Sequence, residues 1–113
     1  MNSSDCTFCC IVDGSLPSRK IYEDDEILVF HNRLTWVPTM LLLIPKQHMS
    51  QTELWDSGEL LGKIGRLAGR YGEALCPNGF RILSNFGDDA LQTQSHGHVH
   101  VIGGARLGLY VGH

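Results

Sequence analysis

Three histidines alternate in His96-Gly97-His98-Val99-His100-Val101-Ile102. On an extended chain, residues i, i+2 and i+4 share a face. The pattern therefore predicts three imidazoles on one side. Val99 and Val101 turn the other way, into a core, and Gly97 leaves room. Same-face rings would stand about 6.6 Å apart along the strand. Imidazole changes charge near neutral pH and carries a nucleophilic nitrogen, so such a row can move protons or attack an electrophile. Three strand histidines can also hold a catalytic zinc with water in the open position. Cys6-x-x-Cys9 is the second feature. That spacing serves a metal site, a redox pair or a plain reduced thiol pair.

These residues need elements to position them. The alternation at 80–84 and 94–102 predicts two strands, with residues 85–90 as the loop between them. Further strands are expected at 20–23, 27–31 and 40–44, where the five apolar residues from Met40 to Ile44 point to burial on both faces. Leu60, Ile64, Leu67, Tyr71 and Leu75 recur at helical spacing and predict a long helix over 57–76. Asp56 followed by Glu59 resembles a capping box at its start. Gly62, Gly65, Gly69 and Gly72 each weaken that helix by roughly 1 kcal/mol against Ala. Packing must offset the loss, and small residues let a neighbour come close. A short helical segment is expected within 6–14, ended by Gly14 and Pro17. Strands, a long helix and then strands predict an α+β fold, an antiparallel sheet with the helix on one face.

The 113 residues suit one domain, and 42% hydrophobic with 19% charged residues suits a folded one. The net charge of −3 gives no polybasic footprint, so neither nucleic acid nor an anionic membrane is an expected partner. The longest apolar run is far short of the roughly 20 residues that span a bilayer. The start, Met1 to Asp5, has no secretory pattern. A cytoplasmic location is expected, with the four cysteines reduced or bound to metal.

The histidine row resembles the signature of the histidine triad (HIT) family, in its nucleotide-binding-protein branch. Cys6-Thr7-Phe8-Cys9, Ile21-Tyr22-Glu23-Asp24-Asp25, Phe30-His31-Asn32, Leu43-Ile44-Pro45-Lys46-Gln47-His48, Gln92-Thr93 and Gly103-Gly104 extend the resemblance over about residues 6–104. It implies a single HIT domain over 1–113 with a tail at 105–113. The sheet would have five antiparallel strands, beside one long helix and a short N-terminal one. It also implies a hydrolase or transferase acting at the α-phosphate of a purine nucleotide or nucleoside phosphoramidate. His98 would be the nucleophile and form a covalent nucleotidyl-histidine. His100 would bind phosphate oxygens, and Thr93 would bind phosphate and help the leaving group. Asn85 and Gln92 would contact the phosphate, with His96 completing the triad. Asn32 stands where the family usually has an acidic residue on the ribose hydroxyls. Phe30, Leu34 and Ile11 could clamp a base.

Two departures are expected to matter: Met40, where the family often has histidine, and Leu91, where it commonly has glycine. The resemblance also implies a structural zinc on Cys6, Cys9, His48 and His96, with Cys10 and Cys76 as spare buried thiols. It implies a homodimer whose tail, residues 107–111 with Tyr110, reaches the partner's site. Two other readings stay open: a zinc hydrolase using His96, His98 and His100 as ligands, and a non-catalytic nucleotide sensor.

Overall fold

The structure, a computed structural model, describes residues 5–109. Tyr110 and the rest of the expected tail beyond Leu109 lie outside the described residues. Helix α1 (Thr7–Val12) is followed by strands β1 (Lys20–Glu23), β2 (Ile27–His31) and β3 (Thr39–Pro45). Then come a short helix α2 (Gln51–Trp55), the long helix α3 (Gly58–Leu75), strand β4 (Phe80–Leu83), a 3-10 turn (Asp88–Ala90) and strand β5 (Val99–Gly103). The five strands form one sheet in the order β1-β2-β3-β5-β4, antiparallel throughout.

Strand alternation divides the core into two layers. Ile27, Val29, Leu41, Leu43, Val99 and Val101 face the long helix and pack on Leu54, Ile64 and Ala68. Leu28, Phe30, Leu42 and Ile44 face the other way and are covered by Cys6, Phe8, Cys9 and Ile11 of the N-terminal segment. All seven residues of β3 are buried, as its unbroken apolar run predicts. The long helix comes close to β4 at Gly72, where a Cβ would lie 2.2 Å from the Phe80 ring. There glycine's small size is required; at Gly65 and Gly69 an added Cβ would meet nothing within 4 Å.

Three sequence expectations change. The strand expected over 94–102 begins only at Val99, so His98 lies in a lead-in and His96 at a bend before it, both outside the hydrogen-bonded ladder. The capping box lies one helix earlier, where Ser50 Oγ accepts from Glu53 N–H at 3.1 Å and Glu53 Oε1 accepts from Ser50 N–H at 2.8 Å. It starts α2, a helix the apolar periodicity does not reveal. Asp56 closes α2, and the Ser57 hydroxyl donates back to Glu53 O at 2.7 Å instead of capping α3.

Candidate active site and metal centre

The alternation before β5 does put the histidines on the face of the sheet opposite α3. Val99 and Val101 are buried in the core layer against that helix. The rings of His98 and His100 meet edge-on at 5.0 Å. His98 is nearly enclosed, at 3% exposed, whereas His100 is half-buried. His98 Nδ1 lies 2.7 Å from the His96 carbonyl oxygen. A carbonyl only accepts, so Nδ1 carries the proton and Nε2 keeps its lone pair. Burial pushes the His98 pKa down against the opposing pull of that carbonyl, which keeps the ring neutral. Burial first, and then the neighbouring His98 ring, pushes His100 down to about 4.

His98 is fixed at its backbone too. Its N–H donates to Gln51 Oε1 at 2.9 Å, and its C=O accepts from Ser84 Oγ at 2.6 Å. The ring of Phe8, on α1, lies edge-on to His98 at 5.2 Å and to His96 at 5.9 Å. Gln51, Ser84 and Phe8 were not legible as site residues. For Gln51 a signal existed: the Ser50…Glu53 box marks a helix start and places Gln51 in its first turn.

His96 is fully buried and turned to a different task. Its Nε2 lies 2.7 Å from Pro45 O, so that nitrogen donates and Nδ1 is left with a lone pair. Nδ1 stands 3.5 Å from both Cys6 Sγ and Cys9 Sγ, and His48 Nδ1 stands 3.2 Å from Cys9 Sγ. The four ligand atoms all lie within 4.8 Å of one another. In a tetrahedral Cys2His2 zinc site with its usual bond lengths, sulfur and nitrogen ligands are about 3.5 Å apart. The cluster fits zinc, and the Pro45 carbonyl supplies the outer hydrogen bond that aims a ligand histidine. Burial pushes the Cys6 thiol pKa up, so without a metal that thiol stays protonated. Among the described residues this is the one such cluster. Both nitrogens of His96 are engaged away from His98 and His100, so the three histidines share no metal position. Cys76 is a buried thiol, as expected, while Cys10 is only partly buried.

The remaining expected residues spread along two loops. Asn85 follows β4, and its C=O accepts from Gln51 Nε2 at 3.1 Å. Gln92 braces its own loop, accepting from Gly87 N–H at 2.8 Å and donating to Gln94 O at 2.9 Å. The Thr93 side chain is exposed and makes no hydrogen bond among the described residues. Asn32 lies beyond β2, its Oδ1 accepting from Leu34 N–H at 3.0 Å and its N–H donating to Met40 O at 2.7 Å. Phe30 and Ile11 are core, whereas Leu34 is 49% exposed. The structure thus joins His98 with His100 and, through Gln51, with the Asn85 loop. It does not bring Asn32 into contact with them.

A five-stranded antiparallel sheet with an alternating histidine row beside a Cys2His2 cluster defines the class, and the comparisons with known proteins agree. The HIT domain family model matches residues 13–107, and the chain belongs to that family. It is 34% identical over 111 residues to an uncharacterized 13.2 kDa HIT-like protein of Azospirillum brasilense, covering 89% of this chain and 87% of that one. A HIT family hydrolase from Clostridium thermocellum superposes with a TM-score of 0.87 at 29% identity, over 97% of this chain and 99% of the other. A zinc-bound histidine triad family protein from Mycobacterium smegmatis superposes at 0.79 with 31% identity, over 96% and 80%.

Proposed function

We propose that this chain is a nucleotide hydrolase that cleaves nucleoside phosphoramidates, or related nucleotides, at the α-phosphorus. The hydrogen bond from His98 Nδ1 to His96 O carries the reading, because it leaves Nε2 unprotonated on a ring that meets His100 edge-on. Nε2 attacks phosphorus, and the phosphorus–nitrogen bond to the leaving amine breaks. The amine departs with a proton from solvent, which the Thr93 hydroxyl is assigned to relay, giving its own proton to the amine as it takes one from water. Water then attacks the nucleotidyl-histidine, releases the nucleoside monophosphate and returns the proton. Splitting one displacement into two is ordinary covalent catalysis. His100 is neutral in the free protein; as an N–H donor, or protonated by an arriving phosphate, it binds the phosphate oxygens. Asn85 and Gln92 line the phosphate loop, and Asn32 is assigned to the ribose of a purine nucleoside.

His96 acts through its carbonyl and through the metal cluster, not as an acid or base. Zinc on Cys6, Cys9, His48 and His96 would fill a closed site, so its role is structural. It would tie α1, and Phe8 with it, to the chain leading into β5. We assign a homodimer to the edge of β4, which no strand pairs among the described residues and where Ile82, Leu75, Trp55 and Phe86 are all exposed. Light scattering at twice the chain mass would support that assignment, and a monomer would refute it. No described helix is long and apolar enough to cross a membrane.

The deciding experiment incubates the protein with adenosine 5′-phosphoramidate and looks for a nucleotidyl adduct by intact mass. The wild type is expected to form the adduct and turn over. His98→Ala is expected to keep its fold and lose on the order of a thousandfold or more in rate. Near-normal turnover by His98→Ala would remove His98 from the mechanism. Binding of AMP without turnover by the wild type would favour a sensor.

A further inference from the structure

We infer that the short helix α2 is the positioning clamp of the nucleophile, with Gln51 and Trp55 as its two jaws. This rests on the reading of His98 as nucleophile. Gln51 and Trp55 are four residues apart and so lie one turn apart on the same side of the helix. Each reaches a different backbone group of His98. Gln51 Oε1 accepts the His98 N–H at 2.9 Å. Trp55 Nε1–H donates to Ser84 Oγ at 3.1 Å, and that hydroxyl in turn donates to His98 O at 2.6 Å. The peptide groups on both sides of the nucleophile are therefore held from α2, at a point where no sheet ladder holds them.

The same two side chains also hold the phosphate loop. Gln51 Nε2 donates to Asn85 O at 3.1 Å, and the Trp55 ring lies 6.1 Å from the Phe86 ring, edge-on. Gln51 is 3% exposed, and both ends of its amide are satisfied. A buried amide bonded at both ends fixes geometry because displacing it leaves a polar group unpaired. Gly97 completes the fit: its N–H donates to Met49 O at 2.7 Å, and a Cβ there would lie 2.9 Å from Ser50 O and 3.0 Å from Leu54 Cβ. Glycine between the histidines is what lets α2 press against this segment. The clamp thus sets the separation of nucleophile and phosphate loop, the quantity on which in-line attack depends.

The test measures the rate of nucleotidyl-enzyme formation from adenosine 5′-phosphoramidate by rapid mixing. AMP affinity and melting temperature are measured in parallel for wild type, Gln51→Leu, Gln51→Glu and Trp55→Phe. Gln51→Leu is expected to slow adduct formation per folded molecule by about a hundredfold while AMP affinity changes less than about threefold. Gln51→Glu keeps an acceptor for His98 N–H and is expected to recover part of that loss. Trp55→Phe keeps a ring on Phe86, lacks the N–H donor, and is expected to slow the step by about three- to tenfold. A purely structural role would lower melting temperature and leave the rate per folded molecule alone. Rates within about twofold of wild type in both Gln51→Leu and Trp55→Phe overturn the clamp. If Gln51→Leu does not fold, Gln51→Glu and Trp55→Phe decide by the same criterion. A wild type that forms no adduct overturns the clamp together with the nucleophile. Adduct formation that depends on His98 but ignores these variants overturns the clamp alone.

Discussion

Leu91 adopts φ 60 and ψ 37, the left-handed region, and is the one non-glycine residue with positive φ among those described. Its side chain is 79% exposed, so no burial offsets the conformation. An L-residue in that region costs roughly 1–2 kcal/mol. Leu91→Gly is therefore expected to stabilise the protein by up to about 1 kcal/mol, read as a higher urea midpoint at constant m-value. An unchanged or lower midpoint would show that the loop gains something from leucine that the backbone strain conceals. Met40, the other departure, is 8% exposed and pairs with Ile102 across the strands, two residues along from the Leu42–His100 pair. Its sulfur accepts from Trp36 N–H at 3.2 Å. Met40→His would set a group that both donates and accepts diagonally across from His100. The expected gain in kcat is roughly ten- to a hundredfold, or a shifted pH profile, with little change in nucleotide affinity. A lower melting temperature with an unchanged rate per folded molecule would mean that Met40 only packs the strand. Sequence alone identified both positions as departures; it could not show that one is strained and the other already bonded.

The elements were legible where periodicity and ladder coincide, and less so where they part. Burial fixes the alternation of Val99 and Val101, so the strand was readable from its apolar residues. Its start was not, because the alternation of residue types runs on into the lead-in while the chain bends at His96 and its hydrogen bonds go elsewhere. Gly97 N–H goes to the Met49 carbonyl and His98 N–H to a side chain. Helix α2 escaped the apolar pattern because five residues bury only Gln51 and Leu54. The turn between β1 and β2 falls at Asp24-Asp25, a turn-favouring pair, and its strength comes from one carboxylate. Asp24 accepts from Glu26 N–H and Ile27 N–H at 2.8 Å each and from Tyr22 Oη at 2.6 Å, and it pairs with Lys63 of α3 at 2.8 Å. Lys63 above all, then Tyr22, holds its carboxyl well below the usual range. A depressed folded pKa gives stability that is complete above the unfolded value, about 3.9, and is lost as pH falls through the folded one. Asp24→Asn is accordingly expected to cost about 1–2 kcal/mol at pH 7 and to show less additional destabilisation than wild type between pH 4 and pH 2, by melting curves across that interval. Parallel wild-type and variant curves over the same range would show that the carboxylate does not carry the acid sensitivity.

In the whole molecule, the two core layers differ in what holds them. The layer against α3 is closed by a long helix. The layer beneath α1 is covered by a helix of only six residues, too short to be stable on its own. Its ligand pair, Cys6 and Cys9, sits at the N-cap and first turn of that helix, and the two histidines come from beyond the end of β3 and the lead-in to β5. The four positions were readable only together, because Cys-x-x-Cys alone fits several chemistries and the fold supplies the other half of the site. One zinc per chain is therefore expected by elemental analysis. If free zinc stands a thousandfold above its dissociation constant, loading adds about 4 kcal/mol, so stripping should lower the melting temperature by about 10–20 °C. The loss in kcat per folded molecule should be smaller, since the closed site touches no substrate. The pH dependence has opposite signs in the two forms. Loading displaces thiol protons, so the gap between loaded and stripped protein should narrow as pH falls. In the stripped protein the Cys6 pKa is raised by burial. That contribution is complete below the unfolded thiol value, about 8.5, and is lost as pH rises towards the folded one. Stripped protein that melts where loaded protein does, at pH 7, would show that α1 is held by its apolar contacts alone and that the cluster is no structural metal site.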